Sequence, residues 1–153
     1  MDRILKFTRH QDGRGLLTVL DRLPFPAVRA FTISSDQVFQ WRGGHALRTC
    51  HQLLVPTKNT LLVNLDDGAK HKYGVIPGEA LYLPPMTWID YAWGTPGGGS
   101  AIVLCSHHYD AADYISDRPI FTSTLTAMRA PLDKAVRLAV RRAAVSEDIC
   151  GNG

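Results

Sequence analysis

Cysteine is scarce, and every common cysteine motif is missing. Cys50, Cys105 and Cys150 are widely spaced and form no C-x-x-C pair, which argues against both a disulfide framework and a zinc knuckle. They are expected to be packed, inert thiols. No run of about 18 apolar residues is available to span a bilayer, and no charged start leads into an apolar segment with a small-residue cleavage site. The expectation is a soluble, cytoplasmic protein that does not engage a membrane. Charge of one sign is also in short supply. A formal net charge of +3 over 153 residues is too mild to indicate nucleic-acid binding. There is no internal repeat and no low-complexity segment.

What remains is mostly short apolar stretches between turn residues. "GLLTVL", "VRAFTI", "QLLVP", "TLLVNL", "ALYLPP" and "SAIVLCS" read as strands of a sandwich or barrel. Pro24, Asp66-Asp67-Gly68, Pro77-Gly78, Pro84-Pro85 and Pro96 to Gly99 supply the turns, each for its own backbone reason. "LDDGAKHKYGV" reads as a hairpin in which Asp67-Gly68 takes the positive φ angles of a tight turn. Only the end changes character. From Pro131 to Ala144 the pattern predicts a short helix, with Pro131 in its first turn and Leu132, Val136, Ala139 and Ala143 on one stripe. Its basic face, Lys134, Arg137, Arg141 and Arg142, is either a solvated face or an anion-binding surface. Aromatic residues are not interleaved with these charges, so nucleic acid is a poor match. The chain divides accordingly into an all-β domain, residues 1–125, and a helical extension, residues 126–153.

The stretch "RGGHALRTCHQ", Arg42 to Gln52, concentrates chemistry just ahead of a buried strand. A cupin, a jelly roll holding a small ligand in its interior, binds a metal through histidines at i and i+2, because alternate strand residues face one cavity. Here Leu47 stands two residues after His45, and no H-x-H, H-x-x-H or H-E-x-x-H occurs. His51 would lie about 20 Å from His45 along an extended strand. The spacing argues against a bound transition metal. Arg14, Arg29, Arg42 and Arg48 sit on or beside expected strands, where an arginine is costly unless it meets an anion or exposes its head. Several of them converging on a barrel mouth would suit a diphosphate. Taken singly, each arginine is better read as a solvated or ion-paired surface residue, and His45 as a structural histidine; it is the group that argues for a site.

The segments "DGRG", "LPFPAVRAFTI", "RGGHALRTCHQLL", "LDDG", "ALYLPPMTW" and "VLCSHHYDAADYI", followed by Phe121, resemble in order and spacing the sugar-nucleotide 3,4-ketoisomerases, WxcM-like cupins acting on dTDP-4-keto-6-deoxyglucose. The resemblance covers about residues 4 to 122. It implies a cupin jelly-roll β-barrel and a homodimer with exchanged N-terminal strands. It also implies a metal-free, cofactor-free reaction in which a base takes the C3 proton and an acid returns one to C4. Such chemistry needs a group that holds a proton near neutral pH, which suits histidine. By position, Arg14, Arg29 and Arg42 match family arginines near the nucleotide. Arg48 takes the place of a frequent lysine, Gln52 matches a glutamine, and His45 matches the first histidine of R-G-x-H-A-H.

The chain departs from that pattern at Leu47 in place of the second histidine, Thr32 in place of tyrosine, and Ile89 in place of the histidine in W-H-E. Two readings follow. One is an isomerase with His45 as main acid/base and Asp90, Tyr82 or His51 substituting for the lost groups. The other is a binding module that holds a dTDP-sugar with little turnover, as a partner or regulator. A lost acid/base group costs about 100- to 10,000-fold, which favours the module, but the resemblance runs along most of the chain and places the isomerase first, with the module as the alternative.

Overall fold

A computed structural model describes the backbone of residues 3–149 and the side-chain surroundings of residues 3–140. The described residues form twelve strands: β1 (Ile4–Lys6), β2 (Thr8–Asp12), β3 (Gly15–Val19), β4 (Arg29–Ser35), β5 (Arg42–Leu47), β6 (Gln52–Lys58), β7 (Leu61–Asp66), β8 (Lys70–Val75), β9 (Glu79–Leu83), β10 (Trp88–Trp93), β11 (Gly99–Cys105) and β12 (Tyr114–Ile115), followed by one helix, α1 (Arg118–Ile149). All six expected apolar runs are strands. Two five-stranded antiparallel sheets, ordered β1-β9-β6-β11-β4 and β12-β5-β10-β7-β8, face each other, giving the expected all-β double sheet of a cupin with a C-terminal helix.

The period-2 pattern decides what lies between the sheets. Along β7, Leu61, Val63 and Leu65 are buried while Leu62, Asn64 and Asp66 are not; along β11, Ala101, Val103 and Cys105 are buried. These residues meet Leu47, Leu54, Leu81, Leu83 and Ile89 in one central core. The outer face of the first sheet carries Leu53, Val55 and Ala80, covered by Leu5, Phe7, Leu20, Leu23 and Phe25 from the N-terminal segment. The outer face of the second carries Ala46, Met86 and Trp88, covered by Phe121 and Leu125 of α1.

Two local expectations change. The β7–β8 hairpin forms, but Asp66 pairs with Lys70, so the loop has three residues and only Gly68, at φ 97°, takes a positive angle. Asp67 instead accepts a hydrogen bond from the Ala69 N–H at 3.1 Å. The helix starts at Arg118, not Pro131. Asp117 caps it, its Oδ1 accepting from the Ile120 N–H at 2.8 Å, as N-cap aspartates do. In the hydroxyl-rich "TSTLT" run, Thr122, Thr124 and Thr126 satisfy their hydroxyls within the helix, each donating to a carbonyl one turn back. Pro131 therefore lies inside α1, and the helix runs through the expected 125/126 boundary. The stripe at Leu132 and Val136 is 65% and 55% exposed and does not pack on the barrel. Ala143, Arg141 and Arg142 have side chains outside the described residues, as does Cys150.

β2 and β3 pair only with each other among the described residues. β2 is exposed throughout, and Leu16 and Leu17 on β3 are 48% and 61% exposed. No helix among the described residues is long and apolar enough to cross a membrane.

Candidate active site

The pair Gly43-Gly44 explains why β5 can carry both an arginine and a histidine on one face. In the β10–β5 ladder, Ile89 opposes His45 and Asp90 opposes Gly43, so Gly44 is an extra residue, a β-bulge. Arg42 then opposes Tyr91. Directly opposed residues share a face, and both Ile89 and Tyr91 point between the sheets. The bulge thus resets the alternation and puts Arg42 and His45, three residues apart, on the interior face. Glycine is required here: Gly43 and Gly44 have φ of 100° and 69°, and a Cβ on Gly43 would stand 2.6 Å from the Ile89 carbonyl oxygen.

The interior holds a cavity of about 150 Å³ lined by Phe31, Ile33, His45, Gln52, Leu54, Ile89, Tyr91, Val103 and Tyr114. The His45 and Tyr114 rings lie 5.1 Å apart. Tyr114 is carried in by a braced loop: the Asp113 carboxylate accepts from the Thr49 and Cys50 N–H groups and the Thr49 hydroxyl, which ties the "DYI" segment to the turn after β5. Gln52 is buried and donates to the Cys105 Sγ at 3.7 Å. At the edge, Arg29 donates to the same sulfur at 3.3 Å, interacts with the Tyr114 side chain, and keeps a buried Nε with no hydrogen-bond partner. Arg42 stands exposed beside Tyr91. Burial pushes the Tyr91 phenol above its ordinary 10, opposed by the Arg42 charge.

A small gap of about 10 Å³ below the cavity is shared by His45, Leu47, Cys50, Thr87 and Ile89. Leu47 and Ile89 thus do face the histidine, as alternation requires. Thr32 does not: Phe31 and Ile33 line the cavity, so Thr32 between them is on the outer face of β4, and that departure leaves the interior untouched.

The geometry gathers His45, Gln52, Arg42 and Arg29, and separates the other expected residues. His51 and Tyr82 lie on the outer face of the first sheet, the His51 Nδ1 2.7 Å from the Tyr82 hydroxyl, beside Phe25. They cannot substitute for a group inside. Asp90 alternates with Ile89 and Tyr91, and it faces outward, accepting from the Trp88 Nε1 at 3.2 Å. Arg48 is in an exposed turn after β5. Arg14 is at the β2–β3 tip, paired with Asp12 at 2.6 Å, its side chain 92% exposed. The interior residues missed in the sequence are Tyr91, Tyr114 and Cys105. Alternation from Ile89 would have found Tyr91. Among the described residues, no three His, Cys, Asp or Glu side chains are placed to hold a metal ion.

An antiparallel double sheet enclosing a small, partly polar cavity with one histidine, and arginines at its rim, defines a cupin built around a small ligand. The sequence pattern of the family described as FdtA, WxcM-like, C-terminal, matches residues 2–126, and the chain belongs to that family. A TDP-4-oxo-6-deoxy-alpha-D-glucose-3,4-oxoisomerase from Aneurinibacillus thermoaerophilus is 29% identical over 119 residues, 74% of this chain and 85% of that protein. QdtA, a sugar 3,4-ketoisomerase from Thermoanaerobacterium thermosaccharolyticum solved in complex with TDP, matches with a TM-score of 0.75 at 25% identity, over 82% of this chain and 94% of that one. A 3,4-ketoisomerase from Helicobacter canadensis matches with a TM-score of 0.72 at 26% identity, over 80% and 96%.

Proposed function

We propose that the chain is a 3,4-ketoisomerase of dTDP-linked 4-keto-6-deoxyhexoses in deoxysugar assembly, with His45 as its main proton carrier. The observation that carries this reading is the Gly43-Gly44 bulge, which turns His45 and Arg42 onto the same cavity face. An imidazole near a C3–H next to a ketone can take that proton, and the resulting enediol collapses to the isomeric ketone when the proton returns at C4. Arg42 at the rim and the unpartnered Nε of Arg29 suit the anionic nucleotide portion. Gln52, held by Cys105, supplies a fixed amide to the sugar.

The reading extends to a cytoplasmic homodimer with exchanged N-terminal strands; the "RILKF" stretch, which suits such pairing in the sequence, forms β1 and pairs with β9 of its own chain, which leaves β2 and β3 for the exchange. The β2–β3 hairpin leaves Leu16 and Leu17 open, and an exposed hairpin of this kind suits pairing with a second chain. Arg14 at its tip then serves a site in the neighbouring subunit, not its own. The buried, unpaired thiols of Cys50 and Cys105 suit a reducing compartment. Incubation with dTDP-4-keto-6-deoxyglucose, followed by NMR, should show the 3-keto isomer. Tight binding with unchanged substrate would instead mark a binding module.

A further inference from the structure

Leu47 and Ile89 leave His45 as the one imidazole lining the cavity among the described residues, yet a ketoisomerisation moves protons at oxygen as well as at carbon. The polar cavity residues besides His45 are Gln52, Tyr91 and Tyr114. An amide does not give up a proton at neutral pH. Tyr114 is already engaged, its ring against His45 and Tyr109 and its side chain reached by Arg29. Tyr91 differs. Its hydroxyl makes no hydrogen bond among the described residues, it is half-buried in the cavity wall, and it lies directly across the strand pair from Arg42.

We propose that Tyr91 is the second proton carrier of this site, exchanging its hydroxyl proton with the sugar's O4 and O3 while His45 carries the carbon-bound proton from C3 to C4. This rests on the isomerase reading above. In the first half, His45 takes the C3 proton, the C3–H electron pair becomes the C3=C4 double bond, and O4 takes the proton of the Tyr91 hydroxyl. In the second half, the Tyr91 phenolate takes the O3 proton, C3=O forms, and the double-bond pair takes the proton from His45 at C4. Both side chains end as they began, and no other reactant is needed. Arg42 favours the transient phenolate, and burial keeps the resting phenol protonated. Because one imidazole both takes and returns the carbon proton, substrate deuterated at C3 should yield product with some deuterium at C4.

Tyr91→Phe keeps the ring and removes the hydroxyl. With the dTDP-4-keto sugar, its kcat should fall at least ~100-fold, with dTDP affinity within about twofold of the unmodified protein. A kcat within about threefold of unmodified enzyme overturns the assignment of Tyr91 while leaving the isomerase reading standing. An unmodified protein that binds the sugar but never converts it overturns both. Circular dichroism checks folding. If Tyr91→Phe does not fold, Tyr91→His and Tyr91→Met are compared: imidazole can pass a proton and thioether cannot. The histidine variant should be at least about tenfold faster, and equal rates overturn the proposal.

Discussion

Leu47→His would place a second imidazole two positions from His45 on the same face of β5. Leu47 is 5% exposed within the central core, so an unpartnered imidazole there would cost about 1–3 kcal/mol. A partner is at hand. The Thr87 Oγ1 is buried without a hydrogen bond, and Thr87 shares the small gap beneath the cavity with Leu47. A hydrogen bond between them would offset about 0.5–1.5 kcal/mol, leaving at most a net loss of about 2.5 kcal/mol. Thr87→Val in the Leu47→His background should remove that offset. A well-placed acid/base group contributes about 10²–10⁴-fold, so even a tenth of the lower figure gives at least about a tenfold rise in isomerisation. The assay pairs urea unfolding with NMR of the keto-sugar conversion. A folded Leu47→His protein that binds dTDP yet gains no rate would refute the view that Leu47 marks a lost proton carrier.

Three further outcomes are expected. Arg42→Ala should weaken dTDP binding by about 1.5–3 kcal/mol, the value of a hydrogen bond to a charged group, and should flatten its salt dependence; calorimetry at two ionic strengths checks both. Burial, with the nearby charge of His107, lowers the His51 pKa below its ordinary 6.5. The unfolded chain therefore binds this proton more readily, so stability should decline as pH falls from about 6.5 toward the lowered value and level off below it. His51→Gln should remove that component, and an unchanged pH dependence of the urea midpoint would exclude it. Gly43→Ala must relieve both a positive φ and a Cβ 2.6 Å from the Ile89 oxygen. It should lose at least ~1–3 kcal/mol of stability, read as a lower melting temperature.

The fold was legible because its strands are separated by strong turn residues and alternate cleanly, as in β7 and β11. The helix start was hidden: Asp117 and Pro119 are good starting signals, but the following threonines resemble a strand until their hydroxyls are seen bonded to the preceding turn. The site was half legible. His45, Gln52 and Arg42 follow from the motif, whereas Asp90, Tyr82 and His51 have suitable chemistry but lie on the outer faces of the sheets. A one-residue step reverses the face of a strand side chain, and that step separates Asp90 from Tyr91 and Tyr82 from Leu81. The bulge at Gly44 is the counterpart, since without it Arg42 and His45 would diverge.

The most direct test of a His45-centred proton transfer is deuterium incorporation at C3 of dTDP-4-keto-6-deoxyglucose in deuterated water, followed by NMR for the unmodified protein and for His45→Asn. The amide keeps polarity and similar size but takes up no proton at neutral pH. The unmodified protein should exchange C3, and His45→Asn should show no exchange above the solvent background while binding dTDP within about twofold of the unmodified affinity. Undiminished exchange in His45→Asn, or binding without exchange in the unmodified protein, would contradict the account.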